Sequence, residues 1–107
     1  MPARIAREEI FGPVISTIPF DSEEEAISLA NETSYGLAAS LYTTDLDTAF
    51  RLARSIKAGT VSVNSYSEGD ITTPFGGYKQ SGFGGRDKGL EAFDQYTQKK
   101  TIWVTLR

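Results

Sequence analysis

The chain has 107 residues, of which 39% are apolar, and this size predicts one domain with a single modest hydrophobic core. A net charge of −3 argues against a nucleic-acid partner. The lack of cysteine and histidine excludes disulfides and zinc sites built from thiolate or imidazole groups. It also excludes a cysteine nucleophile and a histidine base. No apolar run approaches the roughly 20 residues of a membrane span and no signal peptide is recognisable, so we expect a cytoplasmic protein with no membrane partner.

The first half of the chain predicts a strand, a helix and a second strand. The segment 14–20 is rich in β-branched residues and follows a Gly-Pro pair, which indicates a strand after a turn. Ser22 and Glu25 form a candidate capping box, and adjacent glutamates place negative charge where a helix begins. We therefore expect a helix to about Glu32, and then a strand over 37–43.

The second half begins with a regular helical pattern. Apolar residues recur there at spacings of three and four, which predicts one apolar helix face: Leu46, Ala49, Phe50, Ala53 and Ile56. Gly59 lies just past this helix, and the alternation over 60–63 predicts a third strand. Alternating strands and helices imply right-handed crossovers, so the predicted fold class is α/β with a parallel βαβαβ layer.

A long glycine-rich loop and an apolar tail complete the chain. Seven of the ten glycines lie in 64–89, and loops of more than roughly 15 residues are usually functional or disordered. The aromatic side chains in this loop argue against disorder, and its glycines match no phosphate-binding pattern, which leaves tight turns as their role. The tail alternates around Ile102, Val104 and Leu106, with Trp103 between them, so it reads as a strand that is apolar on both faces.

Several short segments, in fixed order, resemble the aldehyde dehydrogenase superfamily. The two most specific are residues 8–14 (Glu-Glu-Ile-Phe-Gly-Pro-Val) and 74–82 (Pro-Phe-Gly-Gly-Tyr-Lys-Gln-Ser-Gly). Weaker matches are 35–39, 58–61, 63–64, and 96–102 at the end of the chain. The resemblance covers the chain from residue 5 to 106 and is closest to aminoaldehyde and γ-glutamyl-γ-aminobutyraldehyde dehydrogenases.

The resemblance implies the chemistry of aldehyde oxidation. Members of this family use a cysteine thiolate to attack the aldehyde, transfer a hydride to NAD or NADP, and release the acid with water activated by a glutamate. In such enzymes the cysteine, the base and the dinucleotide-binding domain all lie upstream of the region matched here. The resemblance therefore predicts a C-terminal part of such an enzyme, with no catalytic residue of its own and no activity alone.

Two residues match the positions that hold the cofactor. By resemblance, Glu9 accepts hydrogen bonds from the hydroxyls of the nicotinamide ribose, and Phe11 packs near the nicotinamide. A carboxylate only accepts hydrogen bonds and so suits a pair of hydroxyl donors, while an aromatic ring suits a flat heterocycle. The alternatives are a solvated glutamate and a phenylalanine of the hydrophobic core.

A further set of residues matches the substrate tunnel. Phe75 resembles the aromatic residue that lines the tunnel, and the alternative is an apolar anchor for the loop. The positions that shape the tunnel mouth are Ser65, Tyr66, Ser67, Glu68 and Gly69. Glu68 and Asp70 depart from the commonest family pattern at this mouth. Acidic groups at a tunnel mouth attract cationic substrates. We therefore expect an aminoaldehyde or γ-glutamylaminoaldehyde substrate.

The resemblance also predicts a division of the chain and a partner. Residues 1–94 correspond to the C-terminal part of the catalytic domain, and 95–107 correspond to an oligomerisation strand that pairs with a neighbouring subunit of a homo-oligomer. We then expect the isolated chain to expose apolar surface. Two other hypotheses stay open: a stand-alone, non-catalytic module that binds subunits of a full-length relative, and a self-contained enzyme that uses Lys79 or Glu9.

Overall fold

The computed structural model describes residues 3–66 and 69–106. Its helices and strands are α1 (Glu23–Glu32), β1 (Ala38–Leu41), α2 (Leu46–Ser55), β2 (Thr60–Val63) and α3 (Ala92–Tyr96). Single turns of 3₁₀-helix lie at Arg4–Ala6 and Lys79–Ser81. No helix in the described part of the chain has the length and apolar character that crossing a membrane requires.

The start of α1 confirms Ser22 as its cap, while the reciprocal bond of Glu25 goes to Asp21, one residue before the N-cap position of the predicted capping box. The amide of Glu25 donates to the Ser22 hydroxyl oxygen at 3.1 Å, which satisfies one of the free N–H groups of the first turn. The Glu25 carboxylate reaches back and accepts from the amide of Asp21 at 2.8 Å. The helix then runs to Glu32, as predicted.

Asp45 caps α2 in a similar way. Its carboxylate accepts from the amide of Asp47 at 3.1 Å and from the hydroxyl of Thr48 at 2.7 Å. The Thr48 hydroxyl is the main reason that the pKa of Asp45 lies below its ordinary value, because a carboxylate that accepts hydrogen bonds is stabilised in its charged form. Ionisation of Asp45 therefore strengthens the cap.

The two strands form one parallel pair connected through α2. The register runs from Ala38 opposite Thr60 to Leu41 opposite Val63. Within 3–66 and 69–106, the buried apolar residues are Leu41, Ala49 and Ala58, so the core lies between the strand pair and α2. The structure thus contains a single βαβ unit where the sequence predicted βαβαβ.

The missing strand is the one predicted over 14–20. This segment is neither strand nor helix, and Ile15 in it is 92% exposed. A strand is defined by the partner it pairs with, and the β-branched pattern of this segment says nothing about that partner. The prediction of a strand here is wrong for this structure.

The tail is likewise unpaired. Residues 97–106 form no helix or strand, and Trp103 is 89% exposed. The predicted boundary at residue 95 falls within α3, which ends at Tyr96. Pairing of the tail with a neighbouring subunit stays a prediction.

The chain has far more surface than a self-contained domain of its size. Its accessible area is 8994 Å², whereas a folded monomer of this mass exposes about 5,900 Å². Its radius of gyration is 18.7 Å, against about 13 Å for a domain of this length. The expected exposure of apolar surface is confirmed, and within the described residues the single modest core that was predicted is limited to Leu41, Ala49 and Ala58.

The α2 cap gives a testable prediction. Replacing Thr48 by Val removes the main hydrogen bond to the cap and raises the pKa of Asp45 toward its ordinary 3.8. Because the pKa of Asp45 is lowered in the folded state, its ionised carboxylate stabilises the folded chain at pH values above the ordinary pKa. This stabilisation is lost as the pH falls through the folded-state pKa. In T48V the loss therefore occurs at higher pH, and carbon NMR of the Asp45 carboxyl group measures it.

The matched control is Thr48→Ser, which keeps the hydroxyl group and leaves the titration midpoint of Asp45 where it is. Equal midpoints for the unsubstituted, valine and serine forms would show that the hydroxyl of residue 48 does not set this pKa.

Candidate functional site

The glycine-rich loop is fixed to the strand pair at Gly36. The carbonyl oxygen of Gly36 accepts from the amides of Gly59 at 3.0 Å and Tyr78 at 2.8 Å. The amide of Gly36 donates to the Ser81 hydroxyl oxygen at 3.0 Å. We call these four residues the Gly36 junction. It joins the start of β1, the start of β2 and the loop segment 74–82.

The junction has no room for side chains at its glycine positions. A Cβ atom on Gly59 would overlap the carbonyl group of Gly76, and one on Gly36 would lie 2.6 Å from the carbonyl oxygen of Lys57. Both obstacles are backbone atoms, so neither can be relieved by rotating a side chain. Here the glycines permit close approach of two backbone segments, whereas the sequence suggested only that Gly36 and Gly59 mark the ends of the preceding helices.

Lys79 fixes the same loop to the end of α1. Its ammonium group donates to the carbonyl oxygens of Asn31 at 2.7 Å and Thr33 at 2.8 Å. These carbonyls lie where the helix has free acceptors and partial negative charge, so a cation stabilises them. The contact spans 48 residues of sequence to Asn31. Sequence reasoning considered Lys79 only as a catalytic alternative and missed this anchoring role.

Glu9 lines an open groove beside the Gly36 junction. The groove has a volume of about 360 Å³ and is lined by Ala6, Arg7, Glu8, Glu9, Thr33, Tyr35, Leu37 and Ser81. Glu8 is paired with Arg4, Nε to Oε2 at 2.9 Å, but Glu9 has no hydrogen-bond or ion-pair partner within the described ranges. Its exposed carboxylate is therefore free to accept hydrogen bonds from a ligand.

Phe11 follows Glu9 by two residues in the sequence and lies on the surface. Its side chain is 92% exposed in this chain, so Phe11 is not part of the chain's own core. Its backbone has φ +55°, a left-handed conformation that is uncommon for a bulky residue. The amide of Val14 donates to the carbonyl of Gly12 at 2.8 Å and closes the turn that follows. The structure does not bring Phe11 into the lining of the Glu9 groove.

Phe75 lines two further grooves, of about 270 Å³ and 250 Å³. Its ring is half-buried, and its backbone is fixed by reciprocal hydrogen bonds with Asp87, both 2.7 Å long. Leu37 lines all three grooves, and Ser81 lines the Glu9 groove and the larger Phe75 groove. The structure thus places Glu9 and Phe75 on one continuous surface.

The predicted mouth residues follow the carboxyl end of β2. Asn64 holds this end in place, because its side-chain oxygen accepts from the amide of Thr43 at 2.9 Å and its amide group donates to the Thr43 carbonyl at 3.0 Å. Tyr66 lines the smaller Phe75 groove, whereas Ser65 is exposed and lines neither Phe75 groove. Ser67 and Glu68 lie outside the described residues.

Gly69 and Asp70 begin the return of this loop. Gly69 has φ +90°, which favours glycine, and Asp70 accepts from the amide of Thr72 at 2.8 Å and from the Thr72 hydroxyl. The hydroxyl contact is the main reason that the pKa of Asp70 is lowered, so this carboxyl group is ionised at neutral pH. Asp70 thus holds the turn and also adds negative charge beside the predicted mouth residues.

Comparison with known families identifies the chain. The model of the aldehyde dehydrogenase family matches residues 2–102. The chain belongs to the aldehyde dehydrogenase family. The resemblance seen in the sequence motifs is confirmed at this level.

Curated relatives show how much of such an enzyme the chain represents. It is 63% identical over 102 residues to aminoacetaldehyde dehydrogenase of Pseudomonas aeruginosa, covering 95% of this chain and 21% of the relative. It is 56% identical over 104 residues to the NADP/NAD-dependent aldehyde dehydrogenase PuuC of Escherichia coli, covering 97% of this chain and 21% of the relative. The chain therefore spans about a fifth of the length of these aldehyde dehydrogenases.

Solved structures of aldehyde dehydrogenases contain the same backbone arrangement. The NAD+ complex of an aldehyde dehydrogenase from Bacillus cereus matches with a TM-score of 0.89 at 49% identity, over 99% of this chain and 21% of that one. A variant indole-3-acetaldehyde dehydrogenase of P. syringae, in complex with NAD+ and IAA, matches with a TM-score of 0.87 at 58% identity, over 96% and 21%. The small α/β unit described above is thus part of the aldehyde dehydrogenase fold.

The Gly36 junction gives a second prediction. Replacing Gly59 by Ala places a methyl group against the Gly76 backbone and separates the loop from the strand pair. We expect the amide of Tyr78, which is bonded to Gly36, to exchange its hydrogen roughly tenfold faster. Hydrogen exchange followed by NMR measures this rate.

Gly12→Ala is the control, because no atom lies within 4 Å of a Cβ at that position. Unchanged exchange at Tyr78 in G59A, or equal acceleration in G12A, would contradict the role assigned to the junction.

Proposed function

We propose that this chain is the part of an NAD(P)-dependent aldehyde dehydrogenase that contacts the nicotinamide ribose and forms a wall of the substrate tunnel. In that reaction an aldehyde, water and oxidised NAD(P) give a carboxylic acid, reduced NAD(P) and a proton. The observation that carries the proposal is the continuous surface from Glu9 through Leu37 and Ser81 to Phe75. The thiolate belongs to the rest of a longer polypeptide, because this chain has no cysteine, and the family resemblance implies that the general base lies there too.

Glu9, in its groove, and Phe11, on the surface outside that groove, offer groups that suit the cofactor that the relatives' names include. Glu9 offers an exposed, unpaired carboxylate, which matches two ribose hydroxyl donors. Phe11 offers an exposed ring that suits a flat nicotinamide. NAD or NADP, when bound, accepts the hydride from the substrate carbon. The role of the chain is to hold the ribose, and with it the nicotinamide, in place for this transfer.

The substrate in this proposal is an aldehyde that carries nitrogen, of the aminoaldehyde or γ-glutamylaminoaldehyde class. Phe75 and Tyr66 form the apolar wall. Ser65, Ser67, Glu68 and Gly69 shape the mouth, where Glu68 and Asp70 add negative charge. The names of the relatives support this class, since they include aminoacetaldehyde and 4-trimethylaminobutyraldehyde dehydrogenases.

The tail completes the proposal. Residues 95–107 form the oligomerisation strand of a homo-oligomer, and 1–94 form the C-terminal part of the catalytic domain. Support comes from the apolar side chains that the tail exposes on both faces, since Trp103 is 89% and Leu106 is 91% exposed. Pairing with a neighbouring subunit would cover both faces.

A third prediction tests the role of Glu9. In the complete enzyme, replacing Glu9 by Gln removes the charge that strengthens the bonds to the ribose hydroxyls, and we expect KM for the dinucleotide to rise at least tenfold, as for the loss of a charged hydrogen bond. Steady-state formation of reduced NAD(P) measures it. The purified 107-residue chain gives no turnover in the same assay, because it contains no thiol.

Glu24→Gln serves as the control, since Glu24 lies on the exposed face of α1 and lines none of the three grooves. Aldehyde oxidation by the purified chain, or an unchanged KM in E9Q, would count against the proposal.

A fourth prediction tests the acidic mouth. Two aldehydes of the same shape, 4-trimethylaminobutyraldehyde and 5,5-dimethylhexanal, differ only in the charge of the quaternary atom. Replacing Glu68 by Gln in the complete enzyme lowers the ratio of kcat/KM for the cationic to the neutral aldehyde about fivefold, as expected for one charge at a partly solvated site. An unchanged ratio would remove Glu68 from the account of specificity.

A further inference from the structure

The segment 71–75, which contains Phe75, is bonded to the segment 87–89. The amide of Phe75 donates to the carbonyl of Asp87, and the amide of Asp87 donates to the carbonyl of Phe75, each at 2.7 Å. The amide of Gly89 donates to the carbonyl of Ile71 at 2.8 Å. These bonds lie on either side of Lys88 and hold it against the wall.

The ammonium group of Lys88 lies over the Phe75 ring. The nitrogen is 5.3 Å from the ring centroid, within the range of a cation–π contact, and the residue is half-buried. The backbone of Lys88 has φ +61°, a left-handed conformation that costs energy for a residue with a Cβ atom. Such a conformation persists when the surrounding bonds fix it, as the flanking bonds of Asp87 and Gly89 do here.

The charge of Lys88 also acts on the mouth loop. It contributes to lowering the pKa of Asp70, after the two hydrogen bonds from Thr72. The mouth therefore combines the carboxylate of Asp70 with a fixed positive charge behind the tunnel wall. A cation that entered along the wall would be attracted by one group and repelled by the other.

We propose that Lys88 is a specificity-determining residue that lowers the preference of the site for cationic aldehydes. This inference rests on the proposed function, because Phe75 must form a wall of the substrate tunnel. A quaternary nitrogen in contact with the ring face opposite Lys88 would lie on the order of 10 Å from the Lys88 ammonium group, which is itself 5.3 Å from the ring centroid. At that separation the repulsion corresponds to about a fivefold effect on binding. A neutral aldehyde of the same shape does not experience it.

The test uses the complete enzyme and the ratio of kcat/KM for 4-trimethylaminobutyraldehyde to that for 5,5-dimethylhexanal. Lys88→Met keeps most of the apolar stem and removes the charge, so the ratio rises about fivefold at low ionic strength. The rise shrinks in concentrated salt, which screens charges. Lys88→Arg keeps the charge and the original ratio. A merely structural role of Lys88 would change the rate for both aldehydes together and leave the ratio unmoved.

Lys57→Met is the matched control, because Lys57 is exposed and lines none of the three grooves. We expect the K57M enzyme to keep the kcat/KM ratio of the unsubstituted enzyme. Lys88→Gln is a second neutral variant if K88M does not fold. An unchanged ratio in the neutral variants, or the same rise in K88R, overturns the inference while leaving the proposed function intact. An unsubstituted enzyme that oxidises neither aldehyde overturns the proposed function itself.

Discussion

The bonds to the two polar backbone atoms of Gly36 determine how the rest of the chain is arranged. Its carbonyl oxygen accepts from both Gly59 and Tyr78, and its amide donates to Ser81, so one buried peptide fixes β1, β2 and the glycine-rich loop. Lys79 secures the same loop from the other side, on the last carbonyls of α1. Phe75 and the Glu9 groove take their positions from this arrangement. A strand pair of four residues per strand would otherwise offer little to hold such a loop.

Most of the apolar surface of the chain faces outward, and this explains why its ordered part depends on polar anchors. The core between the strand pair and α2 is small for 107 residues. Polar contacts link elements that share little buried area. Arg51 of α2 forms an ion pair with Glu23 of α1, and the Asn31 side chain accepts from the amide of Lys57 at 2.8 Å. Capping groups add to these contacts at the helix ends. Exposed apolar surface of this extent fits a chain that spans about a fifth of the length of its relatives.

The sequence predicted those features that local patterns determine. The capping box at Ser22 gave the start of α1, the apolar stripe gave α2, and the alternation over 60–63 gave β2. The strand predicted over 14–20 was wrong because a β-branched pattern does not reveal whether a partner strand exists. At the site, the structure places Glu9 and Phe75 in grooves that share Leu37 and Ser81, while Phe11 lies outside the Glu9 groove, and the roles assigned to these residues stay predictions. The anchoring of Lys79 could not be predicted, because it depends on a contact with residues far away in the sequence. The placement of Lys88 over Phe75 could not be predicted either, because it depends on a left-handed backbone conformation at Lys88 that no spacing rule encodes.

The central claim is that this chain contacts the nicotinamide ribose and lines the substrate tunnel of a longer enzyme. A crystal structure of the complete enzyme with its dinucleotide and an aldehyde analogue tests it most directly. The account predicts both carboxylate oxygens of Glu9 within about 3 Å of the ribose hydroxyls, and the Phe75 ring in contact with the analogue. A dinucleotide bound away from Glu9, or an analogue with Phe75 on the opposite side of the molecule, would contradict it.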